Sequence, residues 1–551
     1  MGVLGFRMLW LLGCVMWGAS ISSTAMDGYQ NYVMKECKFA RYPSLCVQTL
    51  MGFESPSTQD VHVVSALINK TISETKLPTS YFAKFSSRLD IQESKRALGI
   101  TGGHRVRLMR PTAHVFMHAD YCEELMSMSL KRLDQSLLAL KESPTKNKHD
   151  IQTWLSAALT FQQTCKDSVE SLGLSGDLMN KISQKMEYLS QLASNPLSLV
   201  NRVITASPRK GTGRRLLNEE VQLAFPNWVS SKDRKLLQAQ TIKANVIVSK
   251  DGTGNYRTVS EAIKAASGNR FVIYVKAGVY KEKIRTNKDG ITLIGDGKYS
   301  TIITGDDSAA RGSSMPDSAT FTITGDGFIA RDIGFHNTAG PQGEQALALN
   351  IASDHSVLYR CSIAGYQDTL YALAMRQFYR ECDIYGTVDF IFGNAAAVFQ
   401  NCYLALRRPN GDYNVILASG RSDPGQNTGF SVQNCRITAA SDFSPVKHNF
   451  NTYLGRPWKQ YSRSVVMQST IDDFVASRGW IEWPGAASYG KTLYFAEYSN
   501  VGPGAGTSGR VTWPGFHVIN AGEAVKFTVA GFISGTSWLP STGVTFIAGL
   551  H

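Results

Sequence analysis

Long hydrophobic runs are missing from this sequence. The stretch from Met8 to Trp17, led by Arg7, is ten residues, about half of what a helix needs to span a bilayer. With the small polar segment "GASISSTAMDG" behind it, it reads as a secretory signal over residues 1–26, cleaved near Ala25, a retained anchor being the alternative. The N-terminal "MGVLGF" lacks the Ser or Thr of a myristoylation site. No Gly-x-Ser-x-Gly elbow is present, which removes a serine hydrolase of that type, and no His-Glu-x-x-His is present. His114 and His118 stand four apart, but two ligands make a poor metal site, so neither a metal nor a cofactor is expected. "GTGNYR" from Gly252 falls short of a dinucleotide fingerprint. Basic runs interleaved with aromatics are also lacking. Of the net charge of +13, only +4 lies after residue 240, so an extracellular polyanion suits the chain better than nucleic acid.

Cysteine is scarce, nine in 551 residues. Cys14 would leave with the signal. The others divide into Cys37, Cys46, Cys122 and Cys165, then Cys361, Cys382, Cys402 and Cys435. Export places them where bridges persist, and an even split suits two disulfide-capable domains. Cys402 and Cys435 are disulfide candidates in the late set, its connectivity left open. Asn69-Lys70-Thr71 is a glycosylation sequon.

A chain of this length exceeds one hydrophobic core. Residues 27–200 space their apolar positions by three and four, as in "CEELMSMSLKRLDQSLLALKE" and "DIQTWLSAALTFQQTCKDSVESL", which predicts an all-α bundle of four helices. Residues 201–240 turn polar and basic and read as a linker, with Arg214-Arg215 and Arg234-Lys235, each followed by Leu-Leu, as candidate processing sites. Residues 241–551 break into short β-rich runs punctuated by Gly, Asn and Asp. Aligned on the element apolar, polar, Cys, any, Ile or Leu, five of these runs superpose Cys361, Cys382, Cys402, Cys435 and Ser469 at intervals of 21, 20, 33 and 34. About twenty residues with insertions is one coil of a parallel β-helix, the insertions becoming loops.

Asp368 and Asp389 share the 21-residue offset of Cys361 and Cys382. Equivalent positions on neighbouring coils stack at about 4.8 Å, so the two carboxyls are expected side by side, one ionised and one protonated. Gln345 stands 22 residues before Gln367, which gives two neutral amide donors suited to an oxyanion. Arg456 in "YLGRPW" is a candidate to hold one carboxylate ionised. Trp458, with Tyr366, Tyr371, Phe392, Trp480 and Trp483, is a candidate wall for sugar rings. Spacing alone does not say which Asp is nucleophile and which is acid, and it leaves open an esterase, a glycosidase or lyase working through paired carboxylates, and a catalytically silent wall-binding protein.

From about Ala244 onward the sequence resembles the plant pectin methylesterases, through "GYQDTLY", "RQFYR", "GTVDFIFGNAAAVFQ", "LGRPWKQYSRSVVMQS", "GWIEWPG" and "SWLPSTGV". Residues 27 to about 200 are similar to the pectin methylesterase inhibitor domain. The resemblance implies a right-handed parallel β-helix enzyme that demethylates polygalacturonan in the cell wall and releases methanol. It implies Asp389 as nucleophile, Asp368 as general acid then base, Gln345 and Gln367 as oxyanion hole, and Arg456 as the group orienting Asp389. Trp458 and Phe392 would meet the sugar, with Tyr371 beside them. It further implies bridges Cys37–Cys46 and Cys122–Cys165, and removal of the inhibitor-like domain by a protease at the dibasic sites. Two stretches depart from the pattern: "LAS" at Leu417–Ser419 where the family more often has "TAQ", and the loose fit of "ALGITGGHRVRLMRPTAHVF".

Overall fold

A computed structural model describes residues 28–52, 61–76, 111–171, 177–205 and 243–551. The expected signal segment and the dibasic pairs Arg214-Arg215 and Arg234-Lys235 lie outside the described residues, as do the side chains of His114 and His118. The chain divides into two compact units, Met1–Thr212 and Gly213–His551.

Among the described residues the first unit is all helical. Helices at 61–76, Pro111–Glu142, Lys148–Glu170 and Asp177–Thr205 are its long elements, preceded by a short pair at 28–37 and Pro43–Met51. Their apolar stripes meet in a core that includes Val33, Val64, Ile68, Leu133, Leu140, Ile151, Leu155 and Val200, the burial that a three-and-four spacing produces. Cys37–Cys46 closes the short pair and Cys122–Cys165 joins two long helices. Asn195 clamps the start of Pro43–Met51, its amide bonding both the N–H (2.8 Å) and the carbonyl (3.2 Å) of Tyr42. The last helix runs five residues past the expected boundary at 200, to Thr205. Asn69 is exposed on its helix.

The second unit is a right-handed parallel β-helix, three sheets of eleven, seven and eight strands wound so that each strand pairs in parallel with its counterpart on the next coil. Ile363, Ile384, Leu404, Ile437 and Ile471 form one inward ladder, completely buried or nearly so. Truncating one of them, as in Ile384→Ala, costs about 3 kcal/mol through lost transfer energy and the cavity left behind.

The corner that starts each of these five rungs, and the one on the coil to either side, is made by one residue in the left-handed backbone region: Asp332, Arg360, Glu381, Asn401, Asn434, Gln468 and Ser499, with φ between 48° and 56°. An L-residue enters this region at a steric cost, repaid here because a single residue turns the chain between two sheets. Immediately after five of these corners come Cys361, Cys382, Cys402, Cys435 and Ser469, stacked inward as the period predicts.

Cys402 and Cys435 are free thiols, which corrects the expectation that they pair. Each is committed to a main-chain acceptor: Cys402 Sγ donates to Tyr379 O at 3.5 Å and Cys435 Sγ to Phe399 O at 3.3 Å. Cys435 Sγ also accepts from Cys402 N at 3.3 Å. Burial pushes the thiols of Cys361, Cys382 and Cys402 well up, keeping them protonated.

The outer face of the eleven-stranded sheet is covered by the C-terminal segment, where Phe527, Val529, Phe532 and Leu539 pack on Val357, Phe378, Val398 and Val465. The face of the seven-stranded sheet carries the site.

Candidate active site

Two consecutive turns join the eight-stranded to the seven-stranded sheet, Gly365–Thr369 and Gly386–Phe390, and they stack. Thr387 N donates to Tyr366 O (2.9 Å), Asp368 N to Val388 O (3.0 Å) and Leu370 N to Phe390 O (2.9 Å). Both turns place an aspartate in the left-handed region, Asp368 at φ 59° and Asp389 at φ 50°. Asp tolerates this region better than most residues, so one backbone solution serves both coils and presents both carboxyls on the same side.

Their surroundings then differ. Asp389 is 5% exposed and is gripped by Arg456: Nε donates to Oδ1 at 2.9 Å and Nη2 to Oδ2 at 2.6 Å. Arg456 arrives by register, since Tyr371, Phe392, Ala418 and Arg456 are successive rungs of one outward ladder. Tyr413 accepts from Arg456 Nη1 at 3.0 Å, and the ring of Trp483 lies 4.4 Å from the guanidinium carbon. Asp368 has no hydrogen-bond partner for its carboxyl among the described residues.

Burial is the largest influence on both acids and drives both pKa values up. For Asp368 the neighbouring Asp389 charge pushes further, with Arg456 a lesser counterweight, and the carboxyl ends well above its ordinary 3.8. For Asp389, Arg456 offsets part of the burial by charge and by hydrogen bonding, and the rise is smaller. Burial draws Arg456 down, but Asp389 more than restores it. Two like residues one coil apart therefore differ in proton affinity because one has the arginine.

Gln345 and Gln367 are partly exposed on adjacent coils, linked by Ala346 N to Gln367 O at 3.3 Å. Neither side-chain amide is hydrogen-bonded within the described residues. Gln345 follows Glu344, whose φ 57° and ψ −139° are a strained combination for a residue with a side chain. Asn337 fixes this loop from below, its amide donating to the carbonyls of Asp307, Ser318 and Leu347.

The aromatic expectations divide. Tyr371 and Phe392 stack at 4.4 Å with 5° between their planes, but they are 1% and 3% exposed. They form a floor, and Trp458 stands on it edge-on, 5.9 Å from Phe392 and 6.3 Å from Tyr371, with part of its surface open. Trp480 is not a wall at all: it is completely buried, stacked on Phe495, with Nε1 donating to Glu497 at 3.1 Å. Tyr413, Glu344, Asn337 and Arg407 escaped the sequence reading. Each lies in an insertion or outside the aligned repeat element, where no period marks it.

A family model described as Pectinesterase matches residues 245–536, and one described as Plant invertase/pectin methylesterase inhibitor matches residues 31–199. The probable pectinesterase/pectinesterase inhibitor 54 of Arabidopsis thaliana is 48% identical over 541 residues, covering 96% of each chain. Pectinesterase 2 of Citrus sinensis is 49% identical over 433 residues, covering 78% of this chain and 81% of its own. Among solved structures, the pectin methylesterase from carrot is 51% identical, with a TM-score of 0.55, and covers 57% of this chain and 100% of its own.

Proposed function

The chain belongs to the pectinesterases that carry an inhibitor-like region, carboxylic ester hydrolases of methylated pectin, and from that premise we propose how its own residues divide the reaction. The observation that carries the reading is the Arg456-bound Asp389 one coil from an unpartnered, proton-retaining Asp368.

Asp389, kept ionised by Arg456, attacks the carbonyl carbon of the galacturonate methyl ester. The carbonyl oxygen takes the negative charge and is met by the amides of Gln345 and Gln367, the free donors of the site. The tetrahedral species collapses as the bond to the methoxy oxygen breaks. Asp368 gives that oxygen its proton, so methanol leaves and an acyl-Asp389 anhydride remains. A water then attacks the acyl carbon, Asp368 takes the water's proton, and the galacturonate acid separates from a regenerated Asp389 carboxylate. One water is consumed and both aspartates return to their starting states. Trp458, held by Tyr371 and Phe392, offers its open face to a sugar ring.

Cleavage of the polymer itself is not favoured, since a developing oxocarbenium ion has no use for two oxyanion donors, and neither is a silent wall-binding role. The dibasic sites are proposed for release of the inhibitor-like unit by a secretory protease, that unit for restraint of the enzyme before release, and the cell wall for the site of action.

Incubation of the chain, cut in its 201–240 linker to lift that restraint, with methylated pectin, with methanol and new reducing ends both measured, tests the reading. Methanol without new ends is the expected result; new ends, or methanol undiminished by Asp389→Asn, would defeat it.

A further inference from the structure

The turn that carries Gln367 and Asp368 is secured by a residue from elsewhere in the chain. Arg407 leaves the end of the strand Tyr403–Leu406, two coils further along the solenoid, and its own N–H donates to Gly386 O on the intervening coil at 2.8 Å. Its side chain passes beyond that coil to the first turn. There Nη1 donates to Gly365 O at 3.2 Å and Nη2 to the Tyr366 hydroxyl at 2.5 Å, while the guanidinium carbon lies 3.7 Å from the centre of the Tyr366 ring. On the opposite side Nε donates to Asp442 at 3.3 Å, on the loop of the following coil. One guanidinium thus fastens coils that neighbour-to-neighbour strand pairing does not join directly.

We infer that Arg407 is a positioning residue for the esterase reaction, acting through Tyr366 to fix where Gln367 and Asp368 stand. This rests on the catalytic roles proposed above. Arg407 touches neither acid. Tyr366 is the residue immediately before Gln367, and its carbonyl is already engaged by Thr387 N (2.9 Å) and the Thr369 hydroxyl (3.0 Å). Those backbone bonds set the path of the turn; what Arg407 adds is the direction of the Tyr366 side chain and of the Gly365–Tyr366 peptide, and so how tightly the turn is held. A planar fork suits the task, because one group reaches a carbonyl, a hydroxyl and a ring face together, which an ammonium does not.

The charge of Arg407 is not the means. Asp389 and Arg456 are the charged groups that act on Asp368, and Arg407 is not among them. Arg407 itself faces Asp442, Tyr366 and His336, whose imidazole is held neutral, at about 4, by burial first and by Arg407 second. Loosening the turn therefore acts on Asp368 by admitting water, which weakens the burial that keeps its proton on.

The test is methanol release by the chain cut in its 201–240 linker as a function of pH, with melting temperatures, for Arg407→Met, Arg407→Lys and Tyr366→Phe. Misplacing reacting groups by a fraction of an ångström supports an expected fall in kcat of about tenfold for Arg407→Met, with KM within about twofold. The basic limb of the profile, where the acid loses its proton, should move to lower pH, and Arg407→Lys should recover part of both effects. An unchanged kcat and basic limb would overturn the inference. So would a raised KM at full kcat, which would make Arg407 a contact for the polymer, or a loss of rate that follows only the melting temperature. If Arg407→Met does not fold, Tyr366→Phe decides: it keeps the ring and removes the acceptor, and an unmoved basic limb there sinks the idea. Asp368→Asn and Asp389→Asn run in parallel. Activity in either defeats the underlying catalytic reading, whereas two dead aspartate variants beside a normal Arg407→Met defeat this inference alone.

Discussion

Arg456 donates to Asp389 through Nε and Nη2 and gives no hydrogen bond to Asp368, one coil away on an equivalent turn. That asymmetry makes two matching aspartates unequal, and most of what can be tested follows from it.

Arg456→Ala leaves Asp389 buried without a partner, which costs about 3 kcal/mol of stability. Because Arg456 lowers the Asp389 pKa, its loss raises it, and the acidic limb of the pH–rate profile should move to higher pH. A profile of kcat/KM checks this, and an acidic limb that stays in place would show that Arg456 does not govern the nucleophile.

Asp368→Asn should lower kcat by about 10³-fold or more, since general acid assistance is worth 10²–10⁴. Asn accepts the left-handed backbone of φ 59°, so the circular dichroism spectrum should match the parent. Asp368→Ala should lose as much activity and also about 1 kcal/mol of stability to backbone strain.

The same substitution should stabilise the protein in a pH-dependent way. Asp368 has a folded pKa raised above its ordinary 3.8, so between these values the folded state binds more protons than the unfolded one and stability falls as pH rises. Asp368→Asn removes that penalty. Its melting temperature should exceed the parent's by about 2–4 °C near pH 8 and converge on it near pH 4. A constant gap across the range would mean that Asp368 has an ordinary pKa.

Gly420 sits against Trp458, and a Cβ there would fall 2.8 Å from the indole Cε3. Gly420→Ala must push the indole from its place above Tyr371 and Phe392. KM for pectin should rise by about fivefold, the value of one ring stack, with kcat little changed. An unaltered KM would remove Trp458 from sugar binding.

The four thiols at Cys361, Cys382, Cys402 and Cys435 should resist alkylation in the folded protein and react once it is unfolded. Mass spectrometry of native and denatured samples reads this directly, and a Cys402–Cys435 bridge in a non-reduced digest would contradict the free thiols found here.

How much of this was legible depended on periodicity. Residues that recur with the coil, such as Asp368 with Asp389, Gln345 with Gln367 and Cys361 with Cys382, could be aligned on one another before any coordinates. Residues outside the aligned element could not: Tyr413, at the start of the strand Tyr413–Ser419, reaches Arg456, and Arg407, just past the strand Tyr403–Leu406, reaches Tyr366. The aromatic set misled in part for a related reason. Trp480 and Trp483 are three residues apart, yet one is completely buried on Phe495 and the other lies against Arg456, and composition does not distinguish them.

By itself the sequence determined that the chain winds at about twenty residues per coil after a helical unit, and that two carboxyls fall in register. Repetition is a property of the string, and a parallel ladder turns an offset into a neighbour. Only the tertiary structure decided how the arginine grips one aspartate and leaves the other without a hydrogen bond, which thiols stay unpaired and which indole faces solvent. Those outcomes rest on how side chains from non-equivalent loops converge, and that depends on distances that no spacing along the chain encodes.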